Sequence, residues 1–97
     1  MKSAETTKTE ADVFCFEKFA IDEDAINTIA TIMGFMSTDI FHEEKKENPD
    51  AAKIGEMRRA LRVMSRERQD IYSGNDEVKR SVIERYTPII RERLANA

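Results

Sequence analysis

Apolar residues recur at helical spacing in three stretches of the chain. In each stretch they are separated mainly by alternating steps of three and four residues, which places them on one side of an α-helix. The three sets are Ile26, Ile29, Met33, Met36 and Ile40, then Ile54, Met57, Leu61, Met64 and Ile71, and finally Val78, Val82, Tyr86 and Ile89. We expect these residues to form the core, and Ile90 falls on the same side as the third set. The pattern predicts three amphipathic helices over about residues 22–46, 49–72 and 76–95.

Capping and turn residues set the predicted boundaries of these helices. Each helix is preceded by a side chain that suits the N-cap position, namely Asp22, Asn48 and Asn75. Pro49 suits the first position of the second helix, and Gly74 suits a left-handed C-terminal cap after it. Pro88 is expected either to kink the third helix or to end it early, with a short final helix after it.

Short connections between three helices favour an all-α, antiparallel three-helix arrangement, which we assign to a single domain over residues 13–97. Residues 1–12 are polar and without period, and are expected to form a disordered arm. Residues 13–21 begin Val-Phe-Cys-Phe, which has strand propensity. We therefore expect a short extended Phe-rich segment before the first helix.

Composition and charge narrow the class of protein. The net charge of -3 argues against a free-standing nucleic-acid binder, which is usually basic. The charge is uneven, because residues 21–48 hold seven acids and two bases, whereas residues 49–72 hold six bases and four acids. The single cysteine excludes an internal disulfide, and no signal sequence or apolar run of about 20 residues is visible. We expect a cytoplasmic protein that does not enter a membrane.

Residues suited to catalysis are few. His42 is the only histidine, and it falls on the polar face of the first helix near Asp39 and Glu43, as a solvated surface side chain would. Cys15 lies among phenylalanines, where burial would raise the pKa of its thiol and make it less reactive. The glycines are isolated and form no phosphate-binding loop. We therefore predict no catalytic site, no metal site and no cofactor.

Arginines on the second helix are the clearest candidate for a binding surface. Four of them fall on one face of that helix: Arg58, Arg59, Arg62 and Arg66. Arginine presents a planar fork that binds carboxylates and phosphates. Three interpretations remain open: a solvated face paired with the chain's own acids at residues 43–47, an acidic protein partner, or nucleic acid. Of the two partners, we favour the acidic protein.

Aromatic residues indicate a second interaction surface. Phe35 projects away from the apolar side of the first helix, and the Phe-rich segment precedes that helix. This is more apolar surface than three short helices hide, so either the segment or a second subunit should cover it. The residues assigned to this packing are Phe14, Phe16, Phe19, Ile32 and Phe35, and Phe35 is also a candidate for partner binding.

Together these features predict a small, non-enzymatic regulatory or adaptor protein that acts through protein–protein binding, as a homodimer. The alternative is a small DNA-associated regulator that lays the second helix against phosphates through its arginines. Salt dependence separates the two, because binding to phosphates through several arginines weakens steeply as salt is raised.

Overall fold

The computed structural model of the chain consists of three α-helices, with no strand among the residues it describes. It describes the backbone of residues 10–97 and the side chains of residues 20–97. Helix α1 spans Glu10–Glu44, α2 spans Ala51–Tyr72 and α3 spans Asp76–Ala95. The prediction of an all-α fold built from three helices is confirmed.

Helix α1 begins at Glu10 rather than at Asp22, so the expected extended segment over residues 13–21 was wrong. A strand of a few residues needs a neighbouring strand to bond with, and the described residues contain none. Without that partner, the segment continues the backbone hydrogen bonding of the helix. Of the arm predicted over residues 1–12, residues 10–12 belong to α1, and residues 1–9 lie outside the described part of the chain.

The turn between α1 and α2 differs from the prediction by a few residues at each end. Helix α1 ends at Glu44, and the N-cap of α2 is Asp50 instead of Asn48. The Asp50 side chain accepts a hydrogen bond from the backbone N–H of Lys53 at 3.1 Å. The Asp50 backbone N–H in turn donates to Glu43 Oε2 at 3.1 Å. The boundary of α2 is therefore fixed by a contact with α1.

The turn between α2 and α3 follows the sequence prediction. Gly74 has a φ of 92°, in the left-handed region that glycine adopts without strain. Asn75 caps α3 by accepting from the backbone N–H of Val78 at 3.1 Å. Helix α3 then continues through Pro88 to Ala95, so the alternative of a separate final helix was wrong. The exposed position of Pro88 keeps its ring away from the packed face of α3.

Helix α1 lies at the centre of the core, because α2 and α3 pack more against it than against each other. The buried apolar residues are Ala25, Ile29, Ile32, Ile40, Met64, Ile71, Val82 and Tyr86. Ile32, assigned from the sequence to a dimer or segment contact, is 5% exposed and belongs to the core within the chain. Packing on two sides of α1 explains this, since it buries a wider arc than one neighbouring helix would.

The third helix is rotated from the orientation that the apolar spacing predicted. Ile89 was placed in the core but is 50% exposed, whereas Ile90 packs against the core. At 100° per residue, Ile89 lies about 60° from Tyr86 on one side, whereas Ile90 lies about 40° from it on the other side, which also holds the buried Lys79. The buried face of α3 is therefore set by its contact with α1.

Ion pairs join α1 and α3 near both ends of α3. Lys79 Nζ lies 2.7 Å from Asp22 Oδ1, and Arg93 donates two hydrogen bonds to Asp39, at 2.7 and 2.8 Å. Because the two pairs follow the same order in both helices, α1 and α3 run side by side in the same direction. Lys79 is buried, and the Asp22 carboxylate raises the pKa of its ammonium group despite the cost of desolvation.

Helices α2 and α3 are held together by a polar cluster around Glu67. The Tyr86 hydroxyl donates to Glu67 Oε1 at 2.6 Å, and the Arg85 guanidinium also binds Glu67. Burial, followed by the hydrogen bond to Glu67, raises the pKa of Tyr86.

No helix in the described part of the chain combines the length and the apolar character that crossing a bilayer requires.

Two isoleucines test this packing. Ile29→Ala should lower the free energy of unfolding by about 2–5 kcal/mol, because Ile29 is fully buried and its loss leaves a cavity. Ile89→Ala removes the same atoms from an exposed position and should change it by less than about 1 kcal/mol. Urea unfolding followed by circular dichroism measures both, and equal losses would contradict the observed rotation of α3.

Candidate protein-binding site

The arginine face of α2 is exposed. Arg58, Arg59, Arg62 and Arg66 all have solvent-accessible side chains. Arg58 forms an ion pair with Glu44 at the end of α1, so pairing with the chain's own acids applies to this arginine. The other three form no ion pair with any residue among 20–97. Most of the predicted surface therefore keeps its charge available to a partner.

A cleft of about 530 Å³ lies between α1 and α2, next to these arginines. Its lining residues are Met33, Ser37, Ile40, Arg58, Leu61, Arg62 and Ser65. The apolar members come from both helices, and the two arginines stand on the α2 side. No acidic side chain lines the cleft. It therefore offers a hydrocarbon surface beside two guanidinium groups.

Glu43 holds the turn that positions α2 against α1. Its carboxylate is 5% exposed, accepts from the Asp50 backbone N–H, and lies 2.9 Å from Lys46 Nζ and 3.6 Å from Lys53 Nζ. The hydrogen bond from Lys46, followed by that from Asp50, lowers the pKa of Glu43. This cluster lies at the same end of the bundle as Glu44, which pairs with Arg58 in the lining of the cleft.

His42 is exposed, as predicted, and its acidic neighbours are already occupied. Asp39 binds Arg93, and that hydrogen bond lowers the pKa of the Asp39 carboxyl group. Glu43 is held by lysines. Among the described residues, no group of three histidine, cysteine or acidic side chains is arranged to hold a metal ion.

Phe35 lies away from the arginine face. Its half-buried ring packs against the core, with the guanidinium carbon of Arg93 4.4 Å from the ring centroid. A residue of α3 therefore supplies part of the cover that was expected from the N-terminal segment or a second subunit. The side chains of Phe14, Phe16 and Phe19 lie outside the described residues. Phe35 and the arginines do not form one surface.

Sequence reasoning identified the arginines but missed the cleft. Leu61 was assigned to the core, and Ser37 and Ser65 were given no role. Small side chains next to apolar helix positions were the available signal, but they become a cleft only when α1 and α2 pack together.

No protein-family model matches the chain, and neither does any curated protein or solved structure.

The arrangement suits recognition of a surface that is both apolar and anionic. Guanidinium groups bind carboxylates or phosphates through paired hydrogen bonds. Hydrocarbon on the cleft floor adds binding energy when a partner removes it from water. Arginine beside apolar side chains is also typical of the residues that dominate protein–protein interfaces.

The pKa of Glu43 gives a test of the turn. Because that pKa lies below its ordinary value of 4.5, the charged carboxylate stabilises the fold above that pH. This contribution is lost as the pH falls through the lowered pKa. Glu43→Gln should therefore lower the melting temperature at pH 7 and flatten the decline of the melting temperature as the pH falls below about 5.

Glu47→Gln is the matched control, since it removes one charge from an exposed position in the same turn. It should keep the wild-type melting temperature and the wild-type pH dependence. Thermal unfolding by circular dichroism across this pH range measures all three proteins. An acid-dependent decline in Glu43→Gln as steep as in the wild type would contradict the assigned role.

Proposed function

We propose that this chain is a non-enzymatic regulatory or adaptor protein that binds an acidic partner protein through the arginine face of α2 and the adjoining cleft. The observation that carries the proposal is Arg62, which is exposed, forms no ion pair with a described residue and lines an apolar cleft. Arg66 and Arg59 extend the positive charge beyond it.

An acidic protein fits this surface better than nucleic acid does. The cleft floor is apolar, and a phosphate backbone has no apolar surface with which to fill it. The net charge of -3 opposes the dense charge of nucleic acid at long range more strongly than the smaller charge of an acidic protein, while three exposed arginines attract acids locally. DNA binding remains the second candidate because the same arginines would bind phosphates.

The single cysteine is compatible with action in the reducing cytoplasm.

A homodimer is part of the proposal. Helix α1 has 35 residues, compared with 22 in α2 and 20 in α3. Asp22 of α1 already pairs with Lys79 in the first turns of α3, so residues 10–21 continue α1 beyond this point. Three of the five phenylalanines fall in that extension. In a homodimer, the same extension of a second copy supplies apolar residues against which this extension packs.

Charge reversal tests the arginine face. Arg62→Glu combined with Arg66→Glu should leave the fold intact, because exposed substitutions usually cost within about 0.5 kcal/mol each. The matched control combines Arg80→Glu with Arg91→Glu on α3, which are also exposed and change the net charge equally. The wild type and each variant are used to capture proteins from a nuclease-treated lysate. Mass spectrometry identifies the captured proteins, and the three sets are compared.

Proteins that the wild type and the control retain should be lost from the α2 variant. Equal capture by all three would contradict a role for the arginine face. Binding of a 20-base-pair DNA duplex tests the second candidate. Contacts from three arginines predict a log–log salt slope of about -3, and tight binding with that slope would favour DNA over an acidic protein.

The mass in solution tests the dimer. Light scattering at micromolar concentration should give about twice the chain mass of 11.2 kDa. Phe16→Ser with Phe19→Ser should reduce it to the monomer, because this removes apolar surface from the α1 extension. Phe41→Ser, at a 54% exposed position near the other end of α1, should remain dimeric. A wild-type monomer at every accessible concentration would contradict the dimer.

A further inference from the structure

The cleft between α1 and α2 is bordered by different side chains on its two sides. On the α2 side, Arg58 and Arg62 line it, and Arg66 follows one turn later. Four residues of helix rise about 6 Å, so the arginines form a row parallel to the axis of α2. On the α1 side, Ser37 lines the cleft and is small. A partner can therefore approach α1 closely while its charged edge faces α2.

The floor of the cleft suits the apolar face of a helix. Met33, Ile40 and Leu61 provide its hydrocarbon, and methionine adapts its shape to an incoming side chain. The lining residues on α2 span from Arg58 to Ser65, which is two turns or about 10 Å of helix. Anchors at positions i, i+3, i+4 and i+7 of a docked helix extend over the same length.

The chemistry of the cleft disfavours an extended peptide. The walls are helices whose backbone groups are bonded internally, and the neutral polar side chains that line it are the two serines Ser37 and Ser65. An extended segment would turn some of its backbone N–H and C=O groups toward the apolar floor, and each group left unpaired there costs free energy. A helix satisfies its backbone hydrogen bonds internally and buries only side chains.

We propose that the partner element bound in this cleft is a single amphipathic helix whose carboxylates lie along one edge at four-residue spacing, facing Arg62 and Arg66. This inference rests on the proposed function and specifies the chemistry of the partner. The complex packs a fourth helix against α1 and α2, with the acidic edge over the arginines and the apolar face on the cleft floor.

Charge complementarity favours another protein over a second copy of this chain. Four acids from α1 already hold cations within the chain: Asp22, Asp39, Glu43 and Glu44. Four of the seven acids in residues 21–48 are thus committed to intramolecular pairs. A partner helix with a free row of carboxylates matches the unpaired arginines better.

Selection from a displayed library tests the inference directly. Helical peptides of about 20 residues, randomised on all faces, are selected against the immobilised full chain. Enriched peptides should carry apolar residues at i, i+3, i+4 and i+7, with Asp or Glu along one flank at four-residue spacing. Enrichment of non-periodic or basic sequences, or no enrichment, would overturn the inference.

Variants of the cleft then locate the bound peptide. Ser37→Trp fills the cleft and should weaken binding of an enriched peptide by about tenfold or more, as a steric block of a packed interface does. Thr38→Trp adds the same side chain at the next exposed residue, outside the cleft lining, and should bind normally. Circular dichroism confirms that both variants are folded, and Ser65→Trp repeats the test from the α2 side.

The pattern of losses separates the two proposals. In one outcome, the Arg62 and Arg66 reversal loses peptide binding while Ser37→Trp and Ser65→Trp bind fully. This would support the arginine face as a binding site and contradict the proposal that a helix binds in the cleft. Full binding in all of them would reject both proposals. If Ser37→Trp instead converted a wild-type dimer into a monomer, the occupant would be a second copy, and the inference would be wrong.

Discussion

The packing of α1 against two helices at once is the constraint on which the rest of the structure depends. Ile29 of α1 and Val82 of α3 are the largest fully buried side chains, and Met64 and Ile71 of α2 join the same core cluster. Because α2 and α3 pack mainly against α1, each must present its apolar stripe to the same central helix. The boundaries of α2 and the rotation of α3 follow from that requirement.

Electrostatics follows the same organisation. Acidic residues of α1 form ion pairs with both neighbouring helices. Asp22 pairs with Lys79 of α3, and Glu44 pairs with Arg58 of α2. Exposed pairs such as Glu44 with Arg58 stabilise a fold by only about 0–1 kcal/mol each, so their main effect is to fix which faces meet. The arginines of α2 beyond Arg58 remain outside this pairing. Unpaired positive charge therefore remains on the face of α2 that borders the cleft.

The two sides of α1 differ in a way that bears on function. On the α3 side, Arg93 binds Asp39 and covers the Phe35 ring, so charge and apolar surface are both satisfied within the chain. On the α2 side, the apolar cleft has arginines at its edge and no acid in its lining. An interface needs surface that the monomer leaves incompletely satisfied, and the cleft on the second side is such a surface.

Local sequence determined the number of helices, the Gly74–Asn75 turn and the exposed arginine face of α2, because spacing, capping and left-handed backbone preference act within a few residues. Tertiary structure alone decided that residues 10–21 continue α1, that Asp50 caps α2 through Glu43, and that Ile89 is exposed while Ile90 packs against the core. It also created the cleft from Met33, Ser37 and Leu61. These features depend on which faces of distant helices meet, and the period of a single helix carries no information about that choice.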